Sequence, residues 1–201
     1  MSILKIALTG GIACGKSSVS QIFKEIGVPI IDLDVIAREV VEPNTQGLTE
    51  LVSNLGDNIL NADKTLNRQA LRQQLFDHPS KQQLIEEILH PKILARMQMD
   101  IESLNTQLVI IEVPLLVEQN LSHLFDRAIV VDCSEQNQLT RLLKRENIDE
   151  DLAKTMVSAQ ASREQRLELG EKISTDVIEN NSDILSLEQK VKGLAQQLLD
   201  L

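Results

Sequence analysis

The chain contains 201 residues, of which 42% are hydrophobic and 25% charged, and its formal net charge is -10. This length allows one α/β domain with a smaller insertion or lid, and the acidic excess argues against a broad surface for nucleic acid or anionic membrane. Two cysteines are too few for a disulfide framework, and no signal peptide or membrane-length apolar run is recognisable, so we expect a cytoplasmic protein without membrane attachment.

The first predicted elements are an apolar strand at residues 3–8, a glycine-rich turn and a helix at 18–27. The turn at 10–17 matches the pattern Gly, four residues, Gly-Lys-Ser, in which backbone amides at a helix N-terminus bind a chain of phosphates. Lys16 can bring its charge to the outer phosphates, and the Ser17 hydroxyl can ligate Mg²⁺. An ordinary glycine-rich turn is the alternative, but such a turn needs neither side chain. The candidate phosphate-binding residues are Gly11, Ile12, Ala13, Cys14, Gly15, Lys16, Ser17 and Ser18.

A second short strand is predicted at 28–32, followed by a helix from Asp34 to Pro43. Asp32 and Asp34 fall at the carboxyl end of this strand, the edge of a parallel sheet where ligands bind. Because Asp is also a good helix N-cap, we expect one of the two to cap the helix and the other to take part in chemistry. The sequence leaves open whether Asp32 assists Asp34.

Residues 44–107 contain no convincing strand, and their apolar residues recur at helical intervals, which predicts a helical insertion. Its cationic residues are candidates for binding an anion, although a solvated helix face is the more common role for any one of them. His90-Pro91 is predicted at a break between helices, where the histidine could act as a C-terminal cap. The candidates are Arg68, Arg72, His90, Lys92 and Arg96.

Apolar runs at 108–113, 128–132 and 175–179 predict three further strands, and the stripe from Leu187 to Leu198 predicts a closing helix. The chain is therefore predicted to be α/β, with a five-stranded parallel sheet covered by helices. Glu112 ends the third strand, where it could reach magnesium or its waters, and a plain strand-end carboxylate is an equal alternative.

A charged helical segment at about 141–168 separates the fourth and fifth strands. Its cations suggest a lid that closes over phosphates and supplies positive charge to a transition state. Pairing with neighbouring acidic residues at the surface is the competing account for some of them. The cations are Arg141, Lys144, Arg145, Arg163 and Arg166.

Taken together, these motifs resemble the dephospho-coenzyme A kinase family, from near Lys5 to the final helix. The glycine-rich loop alone indicates a broad superfamily, whereas the ordered series is specific. The matching segments are Leu8-Thr9-Gly10-Gly11-Ile12 with Gly15-Lys16-Ser17; Ile31-Asp32-Leu33-Asp34 with Ile36-Ala37-Arg38; Leu89-His90-Pro91; Val113-Pro114-Leu115-Leu116; Ala159-Gln160 with Arg163 and Arg166; and Asp176-Val177-Ile178 with Asn180.

This resemblance implies a three-layer P-loop kinase fold and transfer of the ATP γ-phosphate, with Mg²⁺, to the ribose 3′-hydroxyl of dephospho-coenzyme A. It also implies a core at 1–43 and 108–201, an acceptor-binding insertion at 44–107 and a lid at about 141–168. By similarity Asp34 is the base for the acceptor hydroxyl, and Asn180 lies near the adenine. The site residues it implies are catalytic Asp34, Lys16 and Arg141; nucleotide-binding Arg163, Arg166 and Asn180; and substrate-binding Asp34, Arg68 and His90.

The loop departs from the usual family pattern, which reads Gly-Ser before Gly-Lys-Ser-Thr. Ala13, Cys14 and Ser18 occupy the differing positions. We expect Ala13 to take a backbone angle that does not depend on glycine, so that phosphate binding survives. Asn67 stands where the family commonly has Asp, ahead of Arg68.

Three other classes of protein share part of this pattern. A GTP-binding switch is improbable because no glycine has Asp three residues before it and no Asn precedes a Lys. Another small-molecule kinase, acting on a nucleoside, nucleotide or sugar, would share the loop, sheet and lid, and a non-enzymatic ATP-binding module is a further alternative. We expect a monomer or a weak homo-oligomer with a small-molecule substrate.

Cys14 lies in the loop at a helix N-terminus, where the pKa of a thiol can be lowered, and Cys133 follows the fourth strand. Because that strand commonly neighbours the first in this fold class, the two thiols could meet. We therefore formulate the hypothesis that their oxidation blocks phosphate binding, against the simpler alternative of two inert small residues.

Overall fold

The computed structural model describes residues 3–146 and 148–200. Asn147, which falls within the predicted lid, lies outside the described residues. The chain divides into two compact units, one formed by the described residues of Met1–Asp32 and Leu104–Leu201 and the other by Leu33–Ser103. No helix in the described ranges is long and apolar enough to cross a membrane.

The strands and helices alternate along most of the first unit, as βα units require, while the second unit is helical. In chain order they are β1 (Leu4–Gly10), α1 (Lys16–Glu25), β2 (Ile30–Asp32), α2 (Leu33–Glu39), α3 (Gln46–Leu55), α4 (Arg68–Asp77), α5 (Lys81–Glu102), β3 (Leu108–Glu112), β4 (Arg127–Asp132), α6 (Glu135–Glu146), α7 (Glu150–Ser158), α8 (Arg163–Leu167), β5 (Ser174–Glu179) and α9 (Ile184–Leu199). Short 3-10 helices occupy Asp57–Ile59, Ser122–Leu124 and Glu168–Glu171.

The sheet of the first unit has five strands in the order β2-β3-β1-β4-β5, all of them parallel. The predicted α/β fold with a five-stranded parallel sheet is therefore confirmed. β1 lies in the centre, and residues 108–111 of β3 are completely buried, as expected for strands covered on both faces. Because the strands are parallel, the loop after β1 and the ends of β2, β3 and β4 meet at one edge of the sheet.

One face of the sheet is covered by α1 and α9, which pack against each other. Phe23 and Val19 of α1 are fully buried there, together with Val191 of α9. Full burial of a side chain of this size contributes roughly 1.5–3 kcal/mol. This packing fixes α1, and with it the direction in which the amides of its first turn point.

The second unit has its own aliphatic core, made from the residues that follow α2, from α3 and α5, and from the segment between α3 and α4. α3 and α4 begin at side-chain caps, since Thr45 accepts from the amide of Leu48 and Asn67 accepts from the amide of Ala70. The buried members of the core are Val41, Leu51, Leu55, Ile59, Ile85 and Ile88.

The prediction of a helix break at His90-Pro91 is wrong, because α5 continues through Pro91. Proline removes one backbone hydrogen bond from a helix and usually kinks it. In α5, buried apolar residues lie on both sides of the proline, with Ile88 before it and Met97 after it. Burial of apolar residues before and after the proline stabilises the helix against the local loss, and His90 is a mid-helix residue rather than a terminal cap.

Candidate functional site

The loop between β1 and α1 is held in a tight turn by its own backbone. The amide of Cys14 donates to the carbonyl of Gly11 at 3.1 Å, and the amides of Ser18 and Val19 both donate to the carbonyl of Gly15. Gly15 has a φ of 100°, and a Cβ there would lie 2.3 Å from Nδ2 of Asn180. Only glycine satisfies both constraints, so the loop and Asn180 pack as closely as the backbone allows.

Lys16 is the first residue of α1, and its side chain folds back along the loop. Its Nζ donates to the carbonyl of Gly10 at 2.8 Å and lies 3.5 Å from the carbonyl oxygen of Gly11. The amine is therefore placed at the β1 end of the loop, within the half-buried turn, in the position expected of a lysine that serves the outer phosphates.

Ala13 contradicts the expectation that its backbone angle would not depend on glycine. Its φ is 59°, in the left-handed region. An L-residue in this region brings its Cβ close to the following carbonyl oxygen and costs about 1–2 kcal/mol. The closed turn imposes this angle, whatever residue occupies the position.

Replacing Ala13 by Gly should therefore stabilise the protein. Relief of the left-handed strain contributes about 1–2 kcal/mol, and the extra freedom of glycine in the unfolded chain offsets about 0.4–1 kcal/mol of it. We expect the free energy of unfolding in urea to rise by roughly 0.5–1 kcal/mol. A decrease would show that the Ala13 methyl makes a packing contribution larger than the strain.

Arg141 and Asn180 hold the loop from outside. Nδ2 of Asn180, a buried residue, donates to the carbonyl of Cys14 at 2.8 Å. Arg141, on α6, approaches the same carbonyl at 3.5 Å and donates to the backbone carbonyl of Asn180 at 2.9 Å. The structure thus brings two of the predicted nucleotide-site residues together at the phosphate loop.

Arg163 and Arg166 lie on the same short helix but have different surroundings. Arg163 makes a bidentate ion pair with Asp132, whose side chain is 2% exposed, with Nη2 to Oδ2 at 2.6 Å. The hydrogen bond with this carboxylate raises the pKa of the Arg163 guanidinium. Because Asp132 is the last residue of β4, the pair ties α8 to the sheet edge.

Arg166 is buried, with 8% of its surface exposed, and its Nη1 donates to the carbonyl of Ala161. No carboxylate pairs with it among the described residues. A buried cation without an anion is costly, so this arrangement favours a bound anion. Arg166 and Arg163 also line a cavity of about 630 Å³, which has room for a phosphate chain.

The loop amide of Ile12 is hydrogen-bonded to Gln160, in the segment that was predicted to form a lid. It donates to Oε1 of Gln160 at 2.7 Å, and Gln160 also lines the cavity. The contact joins residues far apart in sequence and connects the loop with the segment that carries Arg163 and Arg166.

A second cavity, of about 490 Å³, opens at the other side of the first turn of α1. It is lined by Ser17, Asp32 and Glu112 among others, and Ser17 is exposed. Glu112 pairs in register with Asp32 across β2 and β3 and accepts a hydrogen bond from the hydroxyl of Ser20. A hydroxyl and two carboxylates are hard oxygen donors, the type that Mg²⁺ prefers.

Three predicted site residues lie in the second unit. Asp34 is the second residue of α2. The position just before the helix is occupied by Asp32. Arg68 is the exposed first residue of α4, and His90 is half-buried on α5. The roles given to Asp34, Arg68 and His90 stay predictions.

Ion pairing accounts for two of the other cations in this unit. Lys92 lies 2.6 Å from a carboxylate oxygen of Glu50. Arg96 contacts Glu39 at 3.0 Å and Asp100 at 2.9 Å. The alternative of a solvated, ion-paired helix face therefore describes these two residues.

Cys14 and Cys133 are both buried, and their thiols are hydrogen-bonded. Donation from Cys133 lowers the pKa of Cys14, with help from the charges of Arg166 and Lys16, while burial opposes the shift. The same interaction raises the pKa of Cys133. The expected meeting of the two thiols is observed.

The hypothesis that oxidation of this pair blocks phosphate binding stays a prediction. A hydroperoxide would convert the Cys14 thiolate to a sulfenic acid, and the Cys133 thiol would then form the S–S bond with release of water. We expect hydrogen peroxide to abolish ATP binding in calorimetry and dithiothreitol to restore it. Unchanged ATP affinity in protein whose Cys14 is shown by mass spectrometry to be oxidised would contradict the hypothesis.

The family model for dephospho-CoA kinase matches residues 4–186. The chain belongs to the dephospho-CoA kinase family. It is 40% identical over 197 residues to a dephospho-CoA kinase of Vibrio parahaemolyticus, an alignment that covers 98% of this chain and 95% of the relative. The family resemblance found in the sequence is thereby confirmed.

Solved structures agree on the fold. A protein from Thermus thermophilus is 24% identical with a TM-score of 0.83, and the match covers 98% of this chain and 99% of that one. A shikimate kinase from Bacteroides thetaiotaomicron is 18% identical with a TM-score of 0.54, and covers both chains fully. At these identities the likeness concerns the fold alone.

Sequence reasoning missed three residues of the site in this family member. In the sequence, Asp132 is recognisable only as a strand end, and Gln160 belongs to a motif without an assigned role. Gln138 belongs to no motif, but it lies three residues before Arg141 on α6, a spacing that places both on one helix face. Polar residues one turn from a predicted site cation are the signal that could have found it.

Proposed function

We propose that this protein transfers the γ-phosphate of ATP to the ribose 3′-hydroxyl of dephospho-coenzyme A, the last step of coenzyme A synthesis. The observation that supports this acceptor is the family match, which spans both the phosphate-loop unit and the helical unit. The geometry of the first unit fits the donor side of the reaction, because a phosphate loop, a buried arginine and a cavity occur together.

Phosphoryl transfer requires positioning and charge neutralisation rather than covalent chemistry from the protein. We assign the β- and γ-phosphates to Lys16 and to amides of the loop from Gly11 to Ser18, apart from those of Ile12, Cys14 and Ser18, which donate within the protein. Arg166 supplies charge to the transferring group, and Arg141 and Asn180 keep the loop in shape beside the adenine. Arg163 orients α8 through Asp132.

Asp34 accepts the proton of the acceptor hydroxyl in this proposal. Asp34 lies in the first turn of α2, where the helix dipole favours a negative charge. Arg68 and His90 are assigned to the acceptor, whose phosphates offer anionic groups to both side chains.

Mg²⁺ fits the cavity beside α1, since Ser17 offers a hydroxyl and Asp32 and Glu112 offer carboxylates to the ion or its waters. When bound, the ion would neutralise charge on the phosphates. Ser20 orients Glu112 through its hydroxyl. We further propose that the protein acts in the cytoplasm as a monomer or weak homo-oligomer.

The proposal is tested by measuring ADP release with a panel of acceptors in the presence of Mg²⁺. The panel contains dephospho-coenzyme A, adenosine, a nucleoside monophosphate, gluconate and shikimate. Of the acceptors in this panel, we expect only dephospho-coenzyme A to support turnover. ³¹P NMR should show that its product is phosphorylated at the 3′-position. Turnover with another acceptor and none with dephospho-coenzyme A would overturn it, and ATP binding without turnover would indicate a binding module.

A further inference from the structure

Gln138 is a buried amide that the proposed mechanism does not use. It lies on α6 with 4% of its surface exposed. Its Nε2 is shielded from solvent and has no hydrogen-bond partner among the described residues. Buried polar groups are nearly always paired in folded proteins, so an orphaned donor points to a missing acceptor.

The position of this donor is defined by Gly11. A Cβ added to Gly11 would lie 2.6 Å from Nε2 of Gln138 and 3.0 Å from Nη2 of Arg166. Both groups therefore approach the same point beside the phosphate loop, and the missing side chain of Gly11 makes room for them. Amide NH₂ and guanidinium groups offer hydrogens and no acceptor to each other.

An acceptor that satisfies both groups at once is an anionic oxygen. A water molecule would accept from both but would bring no negative charge to Arg166. A phosphate oxygen accepts several hydrogen bonds and also supplies the negative charge. The buried guanidinium therefore favours a phosphate over a water at this point.

The phosphate concerned is an outer one. Nζ of Lys16 lies 3.5 Å from the carbonyl oxygen of Gly11, at the same end of the loop as Gln138. In phosphate loops of this pattern, the lysine serves the β- and γ-phosphates. Gln138 and Lys16 thus approach the same part of a bound nucleotide.

We propose that Gln138 is a further ATP-binding residue, whose side-chain amide donates a hydrogen bond to an outer phosphate oxygen alongside Arg166. The proposal rests on the proposed function only for the identity of the nucleotide. It needs no acceptor substrate and therefore can be tested by binding alone.

Two substitutions separate this role from a structural one. Gln138→Met keeps the length of the side chain and removes the donor, and Gln138→Glu replaces the donor by a carboxylate. Gln136→Met, on the exposed face of the same helix, is the matched control. Affinities for ATP and AMP are measured by calorimetry, because AMP lacks the outer phosphates.

We expect Gln138→Met to weaken ATP binding by about tenfold to a hundredfold, the loss of one hydrogen bond to a charged group, and to leave AMP affinity unchanged. Gln138→Glu should weaken ATP binding further because its carboxylate repels the phosphate. Gln136→Met should bind both nucleotides as the unmodified protein does.

Retention of ATP affinity in Gln138→Glu would overturn the proposal, because an amide carbonyl that only supported Arg166 would be replaced well by a carboxylate. Equal losses for ATP and AMP would likewise show a structural role. In the unmodified protein, the ¹⁵N side-chain resonance of Gln138 should shift with ATP and not with AMP. Failure of acceptor turnover with these binding results intact would sink the proposed function and leave this assignment standing.

Discussion

Replacing Asp34 by Asn should lower the turnover of dephospho-coenzyme A phosphorylation by about 10²–10⁴-fold, the usual contribution of a general base. The substitution keeps the size of the side chain and removes its ability to take a proton. ATP affinity should change by less than about twofold, because the proposed contacts of Asp34 are with the acceptor. Steady-state ADP release gives the turnover, and calorimetry gives the ATP affinity.

Two other carboxylates provide the comparison. Glu39→Gln, on the same helix, removes an exposed pair with Arg96 and should leave turnover unchanged. Asp32→Asn tests whether Asp32 assists; a loss that depends on Mg²⁺ concentration would assign it to the metal rather than to the proton. Full activity of Asp34→Asn would remove the base assignment.

The sheet and the phosphate loop were predictable because their signals are local. A strand covered on both faces must be apolar throughout, and 108–111 is such a run. A loop that wraps phosphate needs glycines at fixed spacing, as at 10–17. The backbone angle of Ala13 was not predictable, since closure of the whole turn imposes it.

The helix through Pro91 and the state of the lid arginines depend on tertiary contacts. Propensity favours a break at Pro91, and burial of Ile88 and Met97 overrides it. The sequence does not distinguish Arg163 from Arg166, since both are arginines in the same charged segment. The carboxylate that pairs with Arg163 belongs to Asp132, which lies 31 residues away at the end of β4. The burial of Gln138 likewise depends on the tertiary contacts of α6 and has no local signal in the sequence.

Two buried donors of the candidate site have surroundings that favour a bound anion. Among the described residues, no carboxylate pairs with Arg166, and the side-chain amide nitrogen of Gln138 has no acceptor. Each arrangement costs stability in the absence of ligand and is relieved by a phosphate. Such a site has a lower free energy of unfolding but holds its donors ready for a phosphate. Substitutions at these donors should therefore raise the stability and lower the affinity for ATP.

Replacing Arg166 by Met should lower turnover by about 10³-fold or more, as for other arginines that stabilise transferring phosphoryl groups. In the absence of nucleotide the same substitution should raise the free energy of unfolding by roughly 1 kcal/mol or more, because it removes a buried unpaired charge. ATP at 100 times its Kd stabilises a protein by about 2.7 kcal/mol, and this gain should largely disappear.

Arg163→Met is the matched variant because it should change stability in the opposite direction. It leaves the carboxylate of Asp132, 2% exposed, without its cation. Arg163 is itself half-exposed, so the loss is reduced by solvent, and we expect a decrease in the free energy of unfolding of roughly 1–3 kcal/mol. Urea unfolding of both variants, with and without ATP, gives the four free energies of unfolding that this comparison needs. Destabilisation by both substitutions would show that Arg166 already has an anionic partner in the free protein, and the phosphate role assigned to it would fall.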